Sequence, residues 1–138
     1  MLLARRFLQL KPGDQVLILR AAVWLVAARV TLPLVGFARL EAAIGLRAAS
    51  RHHDPERIAW AVHAVARRLP GTRCLARSLV LHALLRRDGH PSELRVGVAR
   101  EPGDTVRAHA WVECAGLAFE PEGPGGCLPL ARLGERAW

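Results

Sequence analysis

The chain is short and basic, and both properties limit the classes of protein to which it can belong. Its 138 residues are enough for one domain with a hydrophobic core and too few for two. Hydrophobic residues make up 51% of the chain and charged residues 23%, a balance typical of a globular protein. The formal charge of +8 favours acidic partners such as a peptide, another protein or anionic lipid. Nucleic-acid binding is not indicated, because aromatic residues are only 5% and do not alternate with basic ones.

The cysteine content indicates a reducing compartment. The three cysteines, Cys74, Cys114 and Cys127, form no CxxC pair, so neither a disulfide framework nor a zinc ribbon is expected. The histidines show no HExxH spacing, and the sequence contains no GxxxxGK[ST] loop for ATP. We therefore predict a cytoplasmic protein that needs no metal and no cofactor.

The N-terminal part is apolar with few interruptions. Residues 1–10 are basic and apolar but lack the small-residue cleavage site of a signal peptide. Residues 15–32 are apolar on almost all sides, so the helix that they predict must be covered by something. Arg20 and Arg29 interrupt this stretch and Pro33 follows it, so a transmembrane helix is not expected. Burial against the rest of the chain is the first interpretation, and docking to a partner protein or a membrane surface is the second.

A polar linker separates this part from the remainder. A second helix is expected over about residues 34–49, followed by the linker. Asp54 then suits an N-cap and Pro55 suits the first helical position, so a new helix is predicted there. We predict an N-terminal helical region of residues 1–53, which packs on the core or docks a partner, and a catalytic core of residues 54–138.

A cysteine lies in the first turn of the next predicted helix. Pro70 and Gly71 interrupt the chain, and residues 74–87 then carry apolar residues at helical spacing until Gly89. The partial positive charge of a helix N-terminus favours the thiolate, which is the reactive form of cysteine. Cys74 is therefore a candidate nucleophile, although a lone cysteine is more often a small core residue.

Two strands follow and form a predicted hairpin. Residues 93–99 alternate in polarity, residues 101–104 form a turn, and residues 105–114 alternate again. The second strand places His109 and Trp111 on one face. An imidazole held there in a dry and fixed pocket can act as the general base that takes a thiol proton. The expected fold is α+β, with a small antiparallel sheet packed on the cysteine-bearing helix.

The third catalytic group must accept a hydrogen bond from the imidazole. A two-residue turn at residues 115–116 would place Glu122 opposite His109. The same turn would place Glu120 opposite Trp111, on the face that His109 shares. A proline separates the two glutamates and can end the pairing before Glu122, so we choose Glu120 as the third catalytic residue.

Glu113 lies on the same face of the predicted strand as His109. It is too far along the strand to orient His109 directly, because it follows Trp111 by two residues. We expect Glu113 to make a structural pair or, together with Trp111, to bind the substrate. Trp111 would then be both a core residue and a wall of the catalytic cleft.

Three segments together resemble one known family. They are CLARSLVLHALLRRDGH, LRVGVAR and AHAWVE, and in this order they are similar to the B2-type leader peptidases of lasso-peptide biosynthesis. That family is a small branch of the transglutaminase-like superfamily, and the resemblance covers about residues 58–119. It implies a transglutaminase-like or papain-like core and a cysteine peptidase with Cys74 as nucleophile and His109 as base. The family typically has an aspartate near the position of Glu120, and this sequence has none there.

The same resemblance implies a substrate and partners. The substrate would be a ribosomally made precursor peptide, cut between leader and core, usually with threonine as the next-to-last leader residue. A separate ATP-using macrocyclase (C-type) would then close the core onto an Asp or Glu side chain. In the family a leader-binding recognition protein (B1-type) is either fused ahead of the peptidase or encoded separately. Only about 57 residues precede Ile58, too few for that module, so we predict a separate recognition protein.

Two other interpretations stay open. One is another acyl transferase of the same fold, either a transglutaminase or an amide-forming ligase. The other is a non-enzymatic adaptor that uses its basic and apolar surface to hold a peptide or a membrane. In the adaptor, Cys74 and His109 would be packing residues.

Overall fold

The computed structural model describes residues 1–36, 39, 53–100, 102–119 and 128–133, with residues 99–100 and 128–133 described by their backbone alone. The described residues include four helices and four strands. The helices are α1 (Leu2–Leu8), α2 (Pro12–Val35), α3 (Pro55–Ala66) and α4 (Cys74–Arg87). The strands are β1 (Ser92–Arg100), β2 (Val106–Cys114), β3 (Leu117–Phe119) and β4 (Leu128–Leu133). Most of the predicted helix 34–49, together with Glu120, Glu122 and Cys127, lies outside the described residues.

Helix α2 is longer than the sequence pattern predicts. The expectation that the helix ends before Pro33 is wrong, because α2 continues through this proline to Val35. Proline removes one backbone donor and crowds the preceding turn, but here only two helical residues follow it. The helix ends at Gly36, whose φ of +83° is readily adopted by glycine. The first two residues of the predicted second helix therefore belong to α2.

One face of α2 packs on the rest of the chain. Its buried residues recur three or four positions apart and contact α3 and α4, and they are Leu17, Ala21, Leu25 and Ala28. Polar contacts hold the same side of the helix in place. Asp14 accepts a hydrogen bond of 2.8 Å from Arg57 of α3, and this bond lowers the pKa of the Asp14 carboxyl. Arg20 lies 3.7 Å from Asp88, and Arg29 donates to the carbonyl of Pro70 at 2.7 Å.

The opposite face of α2 is apolar and exposed. Within the described residues, α2 is long and apolar enough to cross a membrane, with mean hydropathy of 1.8 over an 18-residue stretch. Only 22% of that stretch is buried. The core helix of a soluble protein can have the same length and composition, so these properties do not identify what covers this face. The first interpretation of the sequence, burial against the core, holds for one face of α2.

Helix α4 is the centre of the hydrophobic core. Its predicted bounds, 74–87, are confirmed, and its residues from Ser78 to Leu85 are all buried. Helices α2 and α3 pack on one side of α4, and strands β1 and β2 pack on the other. The cluster that joins these layers includes Leu25, Ile58, Leu84 and Val112. The C-terminal end of α4 is held by Asp88, which is 2% exposed and accepts the backbone N–H of His53 at 2.9 Å.

The four strands form one antiparallel sheet in the order β3-β2-β1-β4. The predicted hairpin is confirmed, with Gly97 of β1 opposite His109 of β2. The predicted two-residue turn is confirmed as well, because Ala115 and Gly116 have φ of +51° and +79° and Glu113 pairs with Ala118. Strand β4 pairs with β1 and was not indicated by the sequence pattern. The α+β fold, with a sheet packed on the cysteine-bearing helix, is therefore confirmed, while the division into regions 1–53 and 54–138 stays a prediction.

A buried histidine in α4 makes the stability of the fold depend on pH. Burial, with a smaller effect of Arg86, lowers the pKa of His82 to about 4, and Ser92 Oγ lies 2.8 Å from His82 Nδ1. As the pH falls, the unfolded chain takes up this proton from about pH 6.5 downward, whereas the folded chain takes it up only near pH 4. The free energy of unfolding therefore decreases as the pH falls from about 6.5 to about 4. Replacement of His82 by Asn keeps an acceptor for Ser92 and removes the titration. We expect His82→Asn to lose less stability than the wild type between about pH 6.5 and about pH 4 in urea denaturation; equal losses would contradict the assignment.

Candidate active site

Cys74 is the first residue of α4 and is half-buried. One helical turn further on, Ser78 Oγ donates a hydrogen bond of 2.8 Å to the carbonyl of Ala110 in β2. Both residues are buried, at 4% and 2% exposure. A turn of helix advances about 5.4 Å along its axis, so this bond holds the turn that carries Cys74 against β2. Because Ala110 is the neighbour of His109, the bond brings the start of α4 to the part of the strand that carries the candidate base.

The Ser78 bond is a feature that the sequence only partly indicates. A serine at the fourth position after Cys74 predicts that the two share a helix face. The pattern does not show that the hydroxyl of Ser78 reaches a strand carbonyl instead of its own helix. Serine in a helix interior commonly bonds back to the preceding turn, so this partner could be found only in the tertiary structure.

His109 lies in β2 and is half-buried. Its partner across the sheet is Gly97, which has no side chain. The ring of His109 stacks with that of Trp111 at a centroid distance of 6.1 Å and an angle of 19° between the rings. Trp111 is 4% exposed, which confirms the prediction that it is a core residue. The ring of Trp111 thus forms an aromatic wall on one side of His109, the candidate base.

Glu113 makes a structural pair, one of its two predicted roles. Its Oε1 accepts from Trp111 Nε1 at 3.2 Å, and its Oε2 accepts from Arg95 Nε at 3.0 Å. Arg95 Nη2 lies 2.9 Å from the same oxygen and 3.2 Å from Glu93 Oε2. Both carboxylate oxygens of Glu113 are therefore bonded within the protein. Substrate binding by Glu113 and Trp111 stays a prediction.

The third catalytic residue is not located by the structure. Strands β2 and β3 pair in the predicted register as far as Val112 with Phe119. The residue that follows Phe119 is Glu120, which lies outside the described residues, as does the alternative Glu122. The choice between them stays a prediction.

A second histidine lies close to the cysteine-bearing helix and was not singled out from the sequence. Burial lowers the pKa of His63 on α3 to about 4, and the charges of Arg77 on α4 and Arg67 add to this effect. His63 is therefore neutral at physiological pH. Cys114 is buried, in agreement with a packing role. In the described part of the chain, no group of three or more His, Cys, Asp or Glu residues is arranged to hold a metal.

A helix that begins with a cysteine and packs on an antiparallel sheet that carries a histidine is the arrangement of papain-like and transglutaminase-like thiol enzymes. Residues 22–131 match the family described as the Transglutaminase-like superfamily, so the chain belongs to that superfamily. Its fold is typical of cysteine proteases and acyl transferases. Neither a curated protein nor a solved structure matches the chain at a significant level.

The hydrogen bond between Ser78 and Ala110 can be tested directly. We expect Ser78→Ala to lower the free energy of unfolding by about 1 to 3 kcal/mol, because a buried carbonyl loses its partner. Urea denaturation measures this loss. Thr31→Ala is the matched control, since Thr31 Oγ1 makes an exposed bond to the carbonyl of Ala27 within α2. If both variants lost the same small amount, the bond would not hold α4 against the sheet.

Proposed function

We propose that the protein is a cysteine peptidase that removes the leader from a ribosomally made lasso precursor peptide. The observation that carries the proposal is the Ser78 bond, which holds the turn of Cys74 against the strand of His109. Membership of the transglutaminase-like superfamily supports thiol chemistry at this site. The resemblance of the three segments to B2-type leader peptidases supports the particular substrate.

The proposed reaction proceeds through an acyl-enzyme. His109 takes the proton of Cys74, and the thiolate attacks the carbonyl carbon of the peptide bond between leader and core. The backbone N–H of Cys74, at the first position of α4, has no acceptor within the helix and can donate to the developing oxyanion. His109 then protonates the leaving amine of the core. Water, deprotonated by His109, attacks the thioester, and the leader leaves with a free carboxylate as the thiol forms again.

The first test of this proposal is mass spectrometry of a candidate precursor mixed with its recognition protein and this chain. We expect the wild type to release an intact leader, and Cys74→Ala and His109→Ala to lower the rate by about a thousandfold or more. Between Glu120→Ala and Glu122→Ala, we expect the former to lose more activity. Cys127→Ala is the control thiol and should cleave as the wild type does. Cleavage by Cys74→Ala at the wild-type rate would overturn the proposal.

Another acyl transferase of the same fold is the second candidate, because the superfamily supports transfer as well as hydrolysis. The two functions differ in what attacks the thioester. Water gives a leader with a free carboxylate, and an amine gives a leader with a new amide. Mass spectrometry with an added primary amine distinguishes them, since the products differ in mass.

We propose that the outer face of α2 is the docking site for the leader-binding recognition protein. The exposed apolar residues on this face recur three and four positions apart, and they are Val16, Leu19, Val23, Val26 and Val30. All five are more than 50% exposed. This spacing is the a and d pattern that packs on the apolar stripe of another helix.

The charges around this face indicate what kind of helix fits it. The two arginines within α2 are turned toward the body of the protein, where Arg20 lies near Asp88 and Arg29 donates to the carbonyl of Pro70. The outer face of α2 therefore keeps its apolar stripe, while exposed basic residues flank the start of the helix. The flanking residues are Arg5, Arg6 and Lys11. A helix with an apolar stripe and acidic flanks is complementary to this surface, and the charge of +8 opposes pairing of two copies.

Substitutions on the outer face of α2 test the docking site without removal of core residues. We expect Val23→Glu and Val30→Glu to weaken binding of the recognition protein by about tenfold or more, measured by calorimetry, with the fold unchanged. Val106→Glu is the matched control, because Val106 is 65% exposed on β2, and Val23 is 67% exposed. Binding unchanged by Val23→Glu would exclude this surface. If Val23→Glu abolished binding to vesicles of anionic lipid but left binding of the recognition protein unchanged, the membrane would be the favoured occupant of this face.

A further inference from the structure

We propose that Glu113, held by Arg95, is a positioning residue that fixes the indole of Trp111 against His109. The proposal rests on the proposed function, because it concerns how the candidate base is oriented. It replaces substrate contact as the role of Glu113.

Strand geometry puts three functional groups in a row. In β2, alternate residues point to the same face, so His109, Trp111 and Glu113 share one face at intervals of two residues. The first two are joined by ring stacking, and the last two by a hydrogen bond of 3.2 Å. Each side chain in the row therefore limits the rotation of the next one.

The hydrogen bond from the indole is the contact that sets the plane of Trp111. A tryptophan ring has two side-chain torsions, and burial alone often allows more than one ring orientation. The indole has a single donor, Nε1–H, and the bond to Glu113 Oε1 selects the orientation that points this donor along the strand toward Glu113. In that orientation the ring lies 19° from parallel to the imidazole. The hydrogen bond to Glu113 thus fixes the indole that stacks beside His109.

Arg95 keeps the carboxylate of Glu113 in place and supplies a positive charge that this carboxylate shares with Glu93, whose Oε2 lies 3.2 Å from Arg95 Nη2. Arg95 faces Trp111 across the sheet, and its guanidinium donates to Glu113 Oε2 through Nε at 3.0 Å. The side chain of Arg95 is only 16% exposed, so water screens this pair less than an ordinary surface ion pair. Glu113 is consequently held in one position and paired, which suits a residue that acts through Trp111.

The pH dependence of Cys74 alkylation tests this role without any substrate. An imidazolium held next to a cysteine keeps the thiol deprotonated below its ordinary pKa of about 8.5, so alkylation by iodoacetamide persists at lower pH. We expect Glu113→Gln to raise the pH midpoint of Cys74 alkylation by about one unit, which lowers the rate about tenfold at pH values well below both midpoints. Peptide mapping by mass spectrometry reads Cys74 separately from the other two cysteines. Glu56→Gln, an exposed glutamate at the start of α3, is the matched control and should leave the midpoint unchanged.

A second substitution shows whether Glu113 acts through Trp111. Trp111→Phe keeps an aromatic ring next to His109 and removes the indole donor, so it should raise the midpoint as Glu113→Gln does. The amide that Glu113→Gln introduces has one acceptor oxygen for the two donors, Trp111 Nε1 and Arg95 Nε, and its NH2 group faces the other donor. Glu113→Gln therefore disturbs the contact from which Trp111→Phe removes the donor. The double variant should therefore show no more than the larger of the two single effects. Additive effects would overturn the proposal, and Trp111→Phe alone decides it if Glu113→Gln does not fold. A midpoint unchanged in Glu113→Gln, with only thermal stability reduced, would show that Glu113 is structural.

The same data separate this proposal from the proposed function. A wild-type midpoint well below 8.5 that rises in Glu113→Gln supports positioning even if no lasso precursor is cleaved. A wild-type midpoint near 8.5 that His109→Ala leaves unchanged would mean that no Cys–His pair exists to be positioned, and would overturn the proposal. Cleavage of a precursor with an unchanged midpoint in Glu113→Gln would leave the peptidase standing and overturn the role of Glu113.

Discussion

The burial of α4 between two layers is the constraint on which the rest of the structure depends. Helices α2 and α3 cover one side of α4, and strands β1 and β2 cover the other. A helix that is apolar on most sides gains stability only if both sides are covered, so neither layer can be removed without exposing the helix that carries Cys74. Cys74, the candidate nucleophile, therefore lies at the open end of the most enclosed element in the described part of the chain. The first turn, where Cys74 is half-buried, is the part of the helix that emerges from this packing.

The features that the sequence predicted correctly are local in origin. The bounds of α4 follow from the Pro70–Gly71 interruption and from Gly89, and the β2–β3 register follows from the two-residue turn at 115–116. Both depend on backbone conformations that a few neighbouring residues determine. The end of α2 was predicted wrongly because the prediction considered only the local effect of Pro33. A proline breaks an isolated helix more strongly than a helix that is packed along its length, as α2 is.

The features that the sequence did not predict depend on partners distant along the chain. Strand β4 pairs with β1, and nothing in its own residues selects that edge. The role of Glu113 was left open between two alternatives because its bonds to Arg95 come from a different strand. Cys74 and His109 could be proposed from their helical and strand settings and from the family resemblance. The contact that joins the helix of Cys74 to the strand of His109, a hydrogen bond from Ser78 to the carbonyl of Ala110, is a tertiary one.

The polar contacts near the two ends of α4 add directional attachments to its apolar packing. The close packing of the buried residues 78–85 already opposes rotation of the helix, but apolar contacts themselves have little directional preference. Near one end, Ser78 is bonded to β2, and beyond the other end Asp88 is bonded to His53 and lies near Arg20. Two directional attachments toward opposite ends of α4 fix the rotation of the helix about its axis as well as its position. The direction in which the thiol of Cys74 points is therefore set in part by a buried carboxylate at the far end of the helix, about 20 Å away.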